Sequence, residues 1–368
     1  MTTARIRVDW SEALARALSG HGVRSVFQPI IDLSRGTVVG YEALTRFENE
    51  HVSGVGPDTW FAAAGEIGMG AQLEAAVLRK IFTHRRSIPK NIFLTVNLDP
   101  NHLVDPLVRD VLREQGELGG IVIEFTEHRD WDWERLAPSV NMLRRSGALV
   151  AIDDAGSGYS GLRQILELRP SILKLDRSLI EGVDVDEAKV ALIEMIGGFA
   201  NRIDAWVLAE GVETIHEVRR LHSLGVPLAQ GYVFGRPEAP WSSIDPEVGA
   251  RIGEFVDEPD SGLHDLVQTT EPLRAGAEHD GGWTDSFDAW HVVVDAHDRP
   301  IGIVDAESAF SGQLVETVVV NVHTSPVEAA RRITTASAEP GAPLLVTDDT
   351  GRYLGLVTLR RLLKHLAT

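Results

Sequence analysis

Residues 148–158 read Ala-Leu-Val-Ala-Ile-Asp-Asp-Ala-Gly-Ser-Gly. A short apolar run bounded by turn residues is typical of a buried strand in a sheet. The run ends in the adjacent carboxylates Asp153 and Asp154, and the glycines that follow allow a tight turn that brings both side chains to one place. The stretch therefore predicts a buried strand that delivers acidic groups to the end of a sheet.

Seven further strand-like runs flank this stretch, at residues 25–30, 38–44, 92–98, 120–125, 172–175, 205–209 and 228–234. Most of the segments between them have helical periodicity, for example residues 71–82 and 188–200. Strands that alternate with helices indicate parallel βα units, and eight of them fit one closed barrel. We therefore predict an α/β protein with a TIM-type (β/α)8 barrel. The first connection, residues 32–36, is short enough for a hairpin, so the first strand is expected to be antiparallel.

Composition excludes several classes of site and partner. The chain of 368 residues contains no cysteine, which excludes disulfides, thiolate metal sites and a cysteine nucleophile. Its formal net charge of −19 argues against binding to duplex nucleic acid, because phosphate repulsion would have to be overcome. No apolar run approaches a membrane span, and the first ten residues lack the apolar segment of a secretory signal. We expect a cytoplasmic protein with no membrane attachment.

Polar side chains stand at or just past the C-terminal ends of nearly all the predicted strands. They are Gln28, Glu42, Asn97, Glu124, Asp153, Asp154, Lys174, Asp176, Glu210 and Gln230. In a βα barrel these ends meet on one face, where active sites are built. Carboxylates at close range repel one another unless cations lie between them, and oxygen ligands without histidine or cysteine favour Mg²⁺ or Mn²⁺. For Gln28 and Asp176, a purely structural role in hydrogen-bonding to loops is as good an interpretation as a role in the site.

Residues 41–47, Tyr-Glu-Ala-Leu-Thr-Arg-Phe, resemble the signature of the EAL-domain cyclic di-GMP phosphodiesterases. The tripeptide alone is not specific, because residues 12–14 repeat it within a predicted helix. Several other motifs of the family follow in order and together cover roughly residues 10–245. They are Phe27-Gln28-Pro29-Ile30, Val96-Asn97-Leu98, Ile123-Glu124-Phe125-Thr126-Glu127, Asp153-Asp154-Ala155-Gly156-Ser157-Gly158-Tyr159, Lys174-Leu175-Asp176-Arg177, Ala209-Glu210-Gly211-Val212-Glu213 and Gln230-Gly231-Tyr232.

This resemblance implies metal-dependent hydrolysis of cyclic di-GMP to linear pGpG, with two Mg²⁺ or Mn²⁺ ions in each active site. The implied metal ligands are Glu42, Asn97, Glu124, Asp153, Asp154 and Glu210. The implied catalytic groups are Lys174, Glu210 and Glu42, with Lys174 orienting or helping to activate the attacking water. The implied substrate contacts are Gln28, Leu44, Arg46, Asp176 and Gln230, of which Arg46 suits a phosphate. Glu127 and Glu213 are expected to support loops.

One departure from the family pattern bears on activity. The loop after the two aspartates usually carries phenylalanine, and here the residue is Ala155. The loss of a buried aromatic side chain would remove contacts worth about 2–4 kcal/mol and leave a looser loop. A catalytically weak or silent cyclic di-GMP receptor that signals through the C-terminal domain is therefore an alternative to an active enzyme. A scaffold without a ligand is a third hypothesis, which the buried carboxylates disfavour.

The C-terminal third shows weak internal repetition. Residues 254–262 are acidic and turn-rich, so we interpret them as a linker between a barrel of residues 1–253 and a domain of residues 263–368. Residues 290–304 parallel residues 343–357, each a strand, a turn and a strand. Helices are expected before the two copies, at residues 263–275 and 326–336.

This pattern resembles a tandem pair of CBS motifs in a smaller α+β domain, with a regulatory or dimerisation role. The resemblance implies a homodimer. Binding of a nucleotide or anion by this domain stays open. Adenosine-binding CBS motifs usually place an aspartate three residues after a threonine, and here the residue three positions after Thr358 is Arg361.

Overall fold

The computed structural model of the chain describes residues 10–49, 52, 54–126, 131–153, 161–254, 263–275, 290–305, 308, 313–322, 324–335, 341–348 and 351–366. The strands are β1 (Val23–Asp32), β2 (Thr37–Phe47), β3 (Phe93–Asn97), β4 (Ile121–Thr126), β5 (Leu149–Asp153), β6 (Ile172–Leu175), β7 (Trp206–Ala209), β8 (Leu228–Gln230), β9 (Leu273–Arg274), β10 (His291–Val294), β11 (Pro300–Val304), β12 (Val319–Asn321), β13 (Leu344–Thr347) and β14 (Tyr353–Val357).

The helices are α1 (Trp10–Leu18), α2 (Pro57–Glu66), α3 (Gly70–Phe82), α4 (Pro100–Leu103), α5 (Pro106–Glu114), α6 (Trp133–Arg145), α7 (Gly161–Leu168), α8 (Arg177–Ile180), α9 (Glu187–Arg202), α10 (Ile215–Ser223), α11 (Pro246–Gly253), α12 (Pro326–Thr335) and α13 (Leu359–Leu366). Aspartates cap many of their N-termini. The carboxylate of Asp105, for example, accepts the backbone N–H of Leu107 at 2.9 Å at the start of α5.

Strands β1 to β8 close into a barrel in sequence order, which confirms the predicted fold class. Most of its strand pairs are parallel, among them β2 with β3, β3 with β4 and β4 with β5. The pair β1 and β2 is antiparallel, as predicted. Its turn closes with a hydrogen bond from Gly36 N–H to Asp32 O, and its open end is held by Glu48 N–H donating to Gly22 O at 2.7 Å.

The eighth strand is shorter than predicted. It was expected to continue to residue 234, but it ends at Gln230. The backbone turns at Gly231, whose carbonyl accepts the N–H groups of Phe234 at 3.1 Å and Gly235 at 3.2 Å. The apolar residues after Gln230 therefore belong to a turn, and the strand end brings Gln230 to the C-terminal rim.

The two copies of the C-terminal repeat form equivalent three-stranded sheets, in the orders β11-β10-β9 and β12-β13-β14. Each copy contains an antiparallel hairpin with a glycine in its second strand. Val293 pairs with Gly302 and Val346 pairs with Gly355, and the pairing register shifts directly after each of these residue pairs. A side chain on Gly355 would clash with Val267, so glycine allows the segment around Gln268 to pair with Leu356. The predicted internal repeat is thus present in the backbone.

One helix prediction in this region was wrong. Residues 263–275 form turns and the short strand β9 instead of a helix. Leu263 and Leu266 are buried in a cluster with β12, β13 and α12, and Gln268 makes the bridge to Leu356. Pro272, which lacks a backbone N–H, would interrupt a helix over this segment.

By contact density the chain divides into two compact units. The first comprises residues 1–30, 40–176 and 230–244, and the second comprises residues 31–39, 177–229 and 245–368. The described stretches contain no helix long and apolar enough to cross a bilayer.

Candidate functional site

The centre of the candidate site is the ammonium group of Lys174, which is 1% exposed on β6. Its Nζ lies 2.9 Å from Glu124 Oε2 and 3.1 Å from Asp153 Oδ1. Glu42 Oε1 lies 3.8 Å away from the same nitrogen. These four side chains come from β2, β4, β5 and β6, so the barrel closure brings three carboxylates around one buried lysine.

The buried carboxylate of Glu124 is strongly perturbed. Burial raises the pKa of Glu124 to about 8, with Glu42 and Asp153 adding to the rise and Lys174 opposing it. One oxygen, Oε2, accepts from Lys174, whereas Oε1 is buried without a hydrogen-bond partner among the described residues. A buried oxygen of this kind requires a cation or a donor that the described side chains do not supply.

A layer of amide side chains fixes Glu42. Asn97 Nδ2 donates to Glu42 Oε1 at 2.8 Å, and Gln230 Nε2 donates to Glu42 Oε2 at 2.6 Å. Gln230 Nε2 also donates to Gln28 Oε1 at 3.0 Å, and Gln28 Nε2 donates to the Gly235 carbonyl at 3.1 Å. Both oxygens of Glu42 are therefore held, and these two bonds set the orientation of the carboxylate.

The donor set fits a hard divalent cation by its chemistry. Three carboxylates face a single lysine charge, and carboxylate and amide oxygens are the ligands that Mg²⁺ and Mn²⁺ prefer. Within the parts of the chain that the structure describes, no group of three acidic or histidine side chains is arranged to hold a metal ion. The ammonium of Lys174 lies among the carboxylates and provides their counter-charge. Asp154, which is a sequence-predicted ligand, lies outside the described residues.

The remaining predicted residues are placed as follows. Leu44 and Arg46 follow Glu42 on β2 and are half-buried, and Arg46 Nη1 donates to the Thr45 carbonyl at 2.9 Å. Asp176 is half-buried directly after β6. Glu210, in the second compact unit, is half-buried directly after β7.

Of the two residues expected to support loops, the structure describes only Glu213. Glu213 is exposed and pairs with Arg177 Nη1 at 3.0 Å in the second unit. Glu127 lies outside the described residues, and so does Ala155. The sequence prediction about the loop that contains Ala155 therefore stays a prediction.

Sequence reasoning missed two features of the rim. Trp241, whose backbone has a φ of 65°, packs its ring 4.9 Å from Phe27 and 5.2 Å from Tyr41. The guanidinium of Arg236 lies 4.1 Å from the ring centre of Tyr232, which is half exposed after β8. No local pattern predicts these contacts, because they depend on how the segment after β8 returns to β1, where Phe27 pairs with Glu238.

Two family profiles match parts of the chain. The family profile described as the EAL domain matches residues 11–237, which is more than half of the chain. The profile described as the CBS domain matches residues 314–368. The second match covers the second copy of the C-terminal repeat.

Three relatives illustrate the similarity. The probable cyclic di-GMP phosphodiesterase PdeG of Escherichia coli is 26% identical over 236 residues, which are 61% of this chain and 46% of the relative. The cyclic di-GMP phosphodiesterase NbdA of Pseudomonas aeruginosa is 30% identical over 247 residues, 64% of this chain and 32% of the relative. The chain thus spans less than half the length of these curated relatives.

The third relative is a solved structure. BlrP1 of Klebsiella pneumoniae, solved as a complex with manganese and cyclic di-GMP, is 29% identical with a TM-score of 0.53. The superposition covers 59% of this chain and 56% of that one.

Proposed function

Because this chain belongs to the EAL-domain family, we propose that it hydrolyses cyclic di-GMP to linear pGpG with the help of two divalent ions, Mg²⁺ or Mn²⁺. The observation that carries the proposal is the buried Lys174 ammonium among Glu42, Glu124 and Asp153. A buried excess of carboxylates is costly to fold and is retained where cations are bound. The relatives named phosphodiesterases and the manganese complex of BlrP1 support the same reaction.

Glu42, Asn97, Glu124 and Asp153 would hold the ions, together with Asp154 and Glu210 as the sequence predicts. The bound ions would supply Lewis-acid polarisation of the phosphodiester and lower the pKa of a water molecule. In the reaction the water oxygen forms a bond to phosphorus, the bond from phosphorus to a ribose 3′ oxygen breaks, and that oxygen gains a proton.

The chain's own groups orient this reaction. Lys174 Nζ already makes short contacts to Glu124 and Asp153, so its N–H groups are fixed in direction and can hold an attacking water. The hydrogen bonds of Asn97 and Gln230 keep Glu42 in one orientation. We propose Arg46 as the partner of a substrate phosphate and Gln28, Leu44, Asp176 and Gln230 as further substrate contacts.

The alternative is a catalytically weak or silent receptor of cyclic di-GMP. Ala155 favours it, because the loop after Asp154 lacks the aromatic side chain usual in the family. The retention of Lys174 together with Glu42, Glu124 and Asp153 argues against it, since a receptor does not need a water-orienting lysine between metal-binding carboxylates.

For the C-terminal part we propose a regulatory or dimerising role for residues 263–368, with the barrel in residues 1–253. The CBS match to residues 314–368 and the paired sheets of the repeat support this role. A homodimer, a cytoplasmic location, and a nucleotide or anion bound by this region are parts of the same proposal.

The deciding experiment measures pGpG by chromatography after incubating the purified full chain and cyclic di-GMP with Mg²⁺, Mn²⁺ or a chelator. We expect product only with metal, and at least a hundredfold less with Glu42→Ala, since removal of one preorganised electrostatic group typically costs 10²–10³ in rate. Glu12→Ala is the matched control. Residues 12–14 repeat the Glu-Ala-Leu sequence of residues 42–44, and Glu12 is exposed on α1. Binding of cyclic di-GMP without any product would instead support the receptor.

A further inference from the structure

Glu74 is a buried acidic residue outside the candidate site. It lies on α3 and is only 4% exposed. Its Oε2 is 3.1 Å from His102 Nδ1 on α4, and the backbone N–H of Asp99 also donates to its carboxylate. Burial raises the pKa of Glu74, and the bonds from His102 and Asp99 oppose that rise. A glutamate on an amphipathic helix would ordinarily face solvent, so its inward position has to be explained by these partners.

The partners of Glu74 belong to the segment that directly follows Asn97. Strand β3 ends at Asn97, and Leu98 N–H extends the ladder to the Glu124 carbonyl at 3.0 Å. Asp99 then caps α4 by accepting the N–H of Asn101 at 2.9 Å. Residues 97–102 are thus tied to β4 on one side and to Glu74 on the other.

The ring of His102 fits closely against the first turn of α3. A Cβ atom on Gly70 would lie 2.7 Å from the imidazole, so glycine leaves the space that the ring occupies. With its side chain 26% exposed and paired to Glu74, His102 connects α3 to α4.

We propose that Glu74 is a positioning residue for Asn97. By holding the Asp99 peptide and His102, Glu74 fixes the direction in which the chain leaves β3, and so fixes the Asn97 side chain that donates to Glu42. This inference rests on the proposed function only in assigning Asn97 to a metal site.

A purely structural role makes a different prediction. If Glu74 only stabilises the packing of α3, its replacement lowers the melting temperature without changing Asn97. If it positions Asn97, the replacement changes the environment of the Asn97 amide and the affinity for metal. Support groups behind metal ligands typically contribute about 10- to 100-fold to metal affinity or activity.

The test compares Glu74→Met, which keeps the side-chain volume, with Glu74→Gln, which can still accept from Asp99 and bond to His102. Ile81→Ala is the matched control for stability, because Ile81 is 2% exposed and lies about 10 Å further along the same helix. His102→Ala is a milder second variant that removes one of the two bonds and serves if Glu74→Met does not fold.

Two readouts apply to the full chain. The Asn97 side-chain amide is followed by NMR on protein labelled with ¹⁵N-asparagine and assigned with Asn97→Ala. The affinity for Mn²⁺ is measured from the free-ion EPR signal. For Glu74→Met we expect a shifted or broadened Asn97 amide signal and about 10- to 100-fold weaker Mn²⁺ binding, with most of the affinity restored in Glu74→Gln.

The proposal is overturned if Glu74→Met lowers the melting temperature like Ile81→Ala while the Asn97 signal and the Mn²⁺ affinity stay at wild-type values. For His102→Ala, a change in the Asn97 signal supports the proposal, and a wild-type spectrum together with wild-type Mn²⁺ affinity contradicts it. If the wild-type protein does not hydrolyse cyclic di-GMP, the Asn97 signal still reports on Glu74, so failure of this inference and failure of the proposed function are distinguishable.

Discussion

Gln230 donates to Glu42 across 2.6 Å, which joins the last strand of the barrel to the second strand over 188 residues of sequence. The bond occupies Glu42 Oε2, while Asn97 occupies Oε1. A carboxylate bound at both oxygens by neutral amides loses its rotational freedom. Gln230 therefore preorganises the group that we propose as a metal ligand and catalytic carboxylate.

From this contact we expect Gln230→Leu to lower the rate of cyclic di-GMP hydrolysis by about 10- to 100-fold, because Glu42 loses an orienting bond. Gln230→Glu should lower it further, since a carboxylate at this position repels Glu42. Initial rates of pGpG formation at saturating Mn²⁺ measure both. Equal activity of Gln230→Leu and the wild type would show that Asn97 alone is sufficient to hold Glu42.

Lys174→Met tests the charge balance of the site. The substitution leaves Glu42, Glu124 and Asp153 without their buried counter-charge, which typically costs about 3–5 kcal/mol of unfolding free energy. Because a divalent ion can replace the missing ammonium, we expect Mn²⁺ to raise the melting temperature of the variant more than that of the wild type.

The measurement is thermal denaturation with chelator and with Mn²⁺. Lys90→Met, at an exposed position, is the control and should behave like the wild type in both buffers. A Lys174→Met protein equally destabilised with and without Mn²⁺ would argue that no ion binds among these carboxylates.

The barrel was predictable because its strands are short apolar runs, and the convergence of their ends follows from parallel βα topology. The same argument predicted that Glu42, Glu124 and Asp153 would meet. It could not predict that Lys174 lies between them at hydrogen-bonding distance, because that position depends on the register of β4, β5 and β6.

Tertiary contacts decided other parts of the structure. Helical periodicity places Glu74 on the apolar stripe of Val77, Leu78 and Ile81 on α3. Only the tertiary contact with His102 explains how a carboxylate is accommodated there. Residues 263–275 carry a local signal against a helix in Pro272, and pairing with β10 and β14 sets their structure instead. The Thr214 to Glu217 capping box could have been predicted, because a threonine three residues before a glutamate at a helix start is a recognised signal.

The environment of Glu217 also predicts how the stability of the fold depends on pH. Burial raises its pKa, but backbone N–H groups of Gly182, Glu213 and Thr214 donate to its carboxylate at 2.9–3.0 Å and bring the pKa below its ordinary value. A carboxyl whose pKa falls on folding stabilises the protein above its unfolded pKa of roughly 4.3, and this contribution is lost as the pH falls through the folded pKa.

We expect Glu217→Gln to lower the unfolding free energy by about 1–2 kcal/mol at pH 7, because these bonds lose their charged acceptor. The difference from the wild type should shrink as the pH falls below roughly 4. Urea denaturation at several pH values measures it. Glu187→Gln, at an exposed first-turn position of α9, is the control, and a difference for Glu217→Gln that does not vary with pH would contradict the assignment.

The last prediction concerns the C-terminal region. Within the second compact unit, Arg332 on α12 is 6% exposed. Burial raises the pKa of Asp204, which lies just before β7, and the positive charge of Arg332 opposes that rise. A polar cavity of about 230 Å³ lies beside this pair, with Asn201 and Ser223 in its lining. The helix of the CBS-matched region thus contacts the segment that leads into a barrel strand.

We therefore expect the fragment of residues 1–253 to melt several degrees below the full chain, because Asp204 loses a nearby positive charge. Arg332→Leu in the full chain should reproduce part of that loss, about 1–3 kcal/mol. Arg331→Leu is the matched control, since Arg331 is more exposed on the same helix. If the fragment and the full chain have the same melting temperature and the same rate of pGpG formation, residues 263–368 neither support nor regulate the barrel.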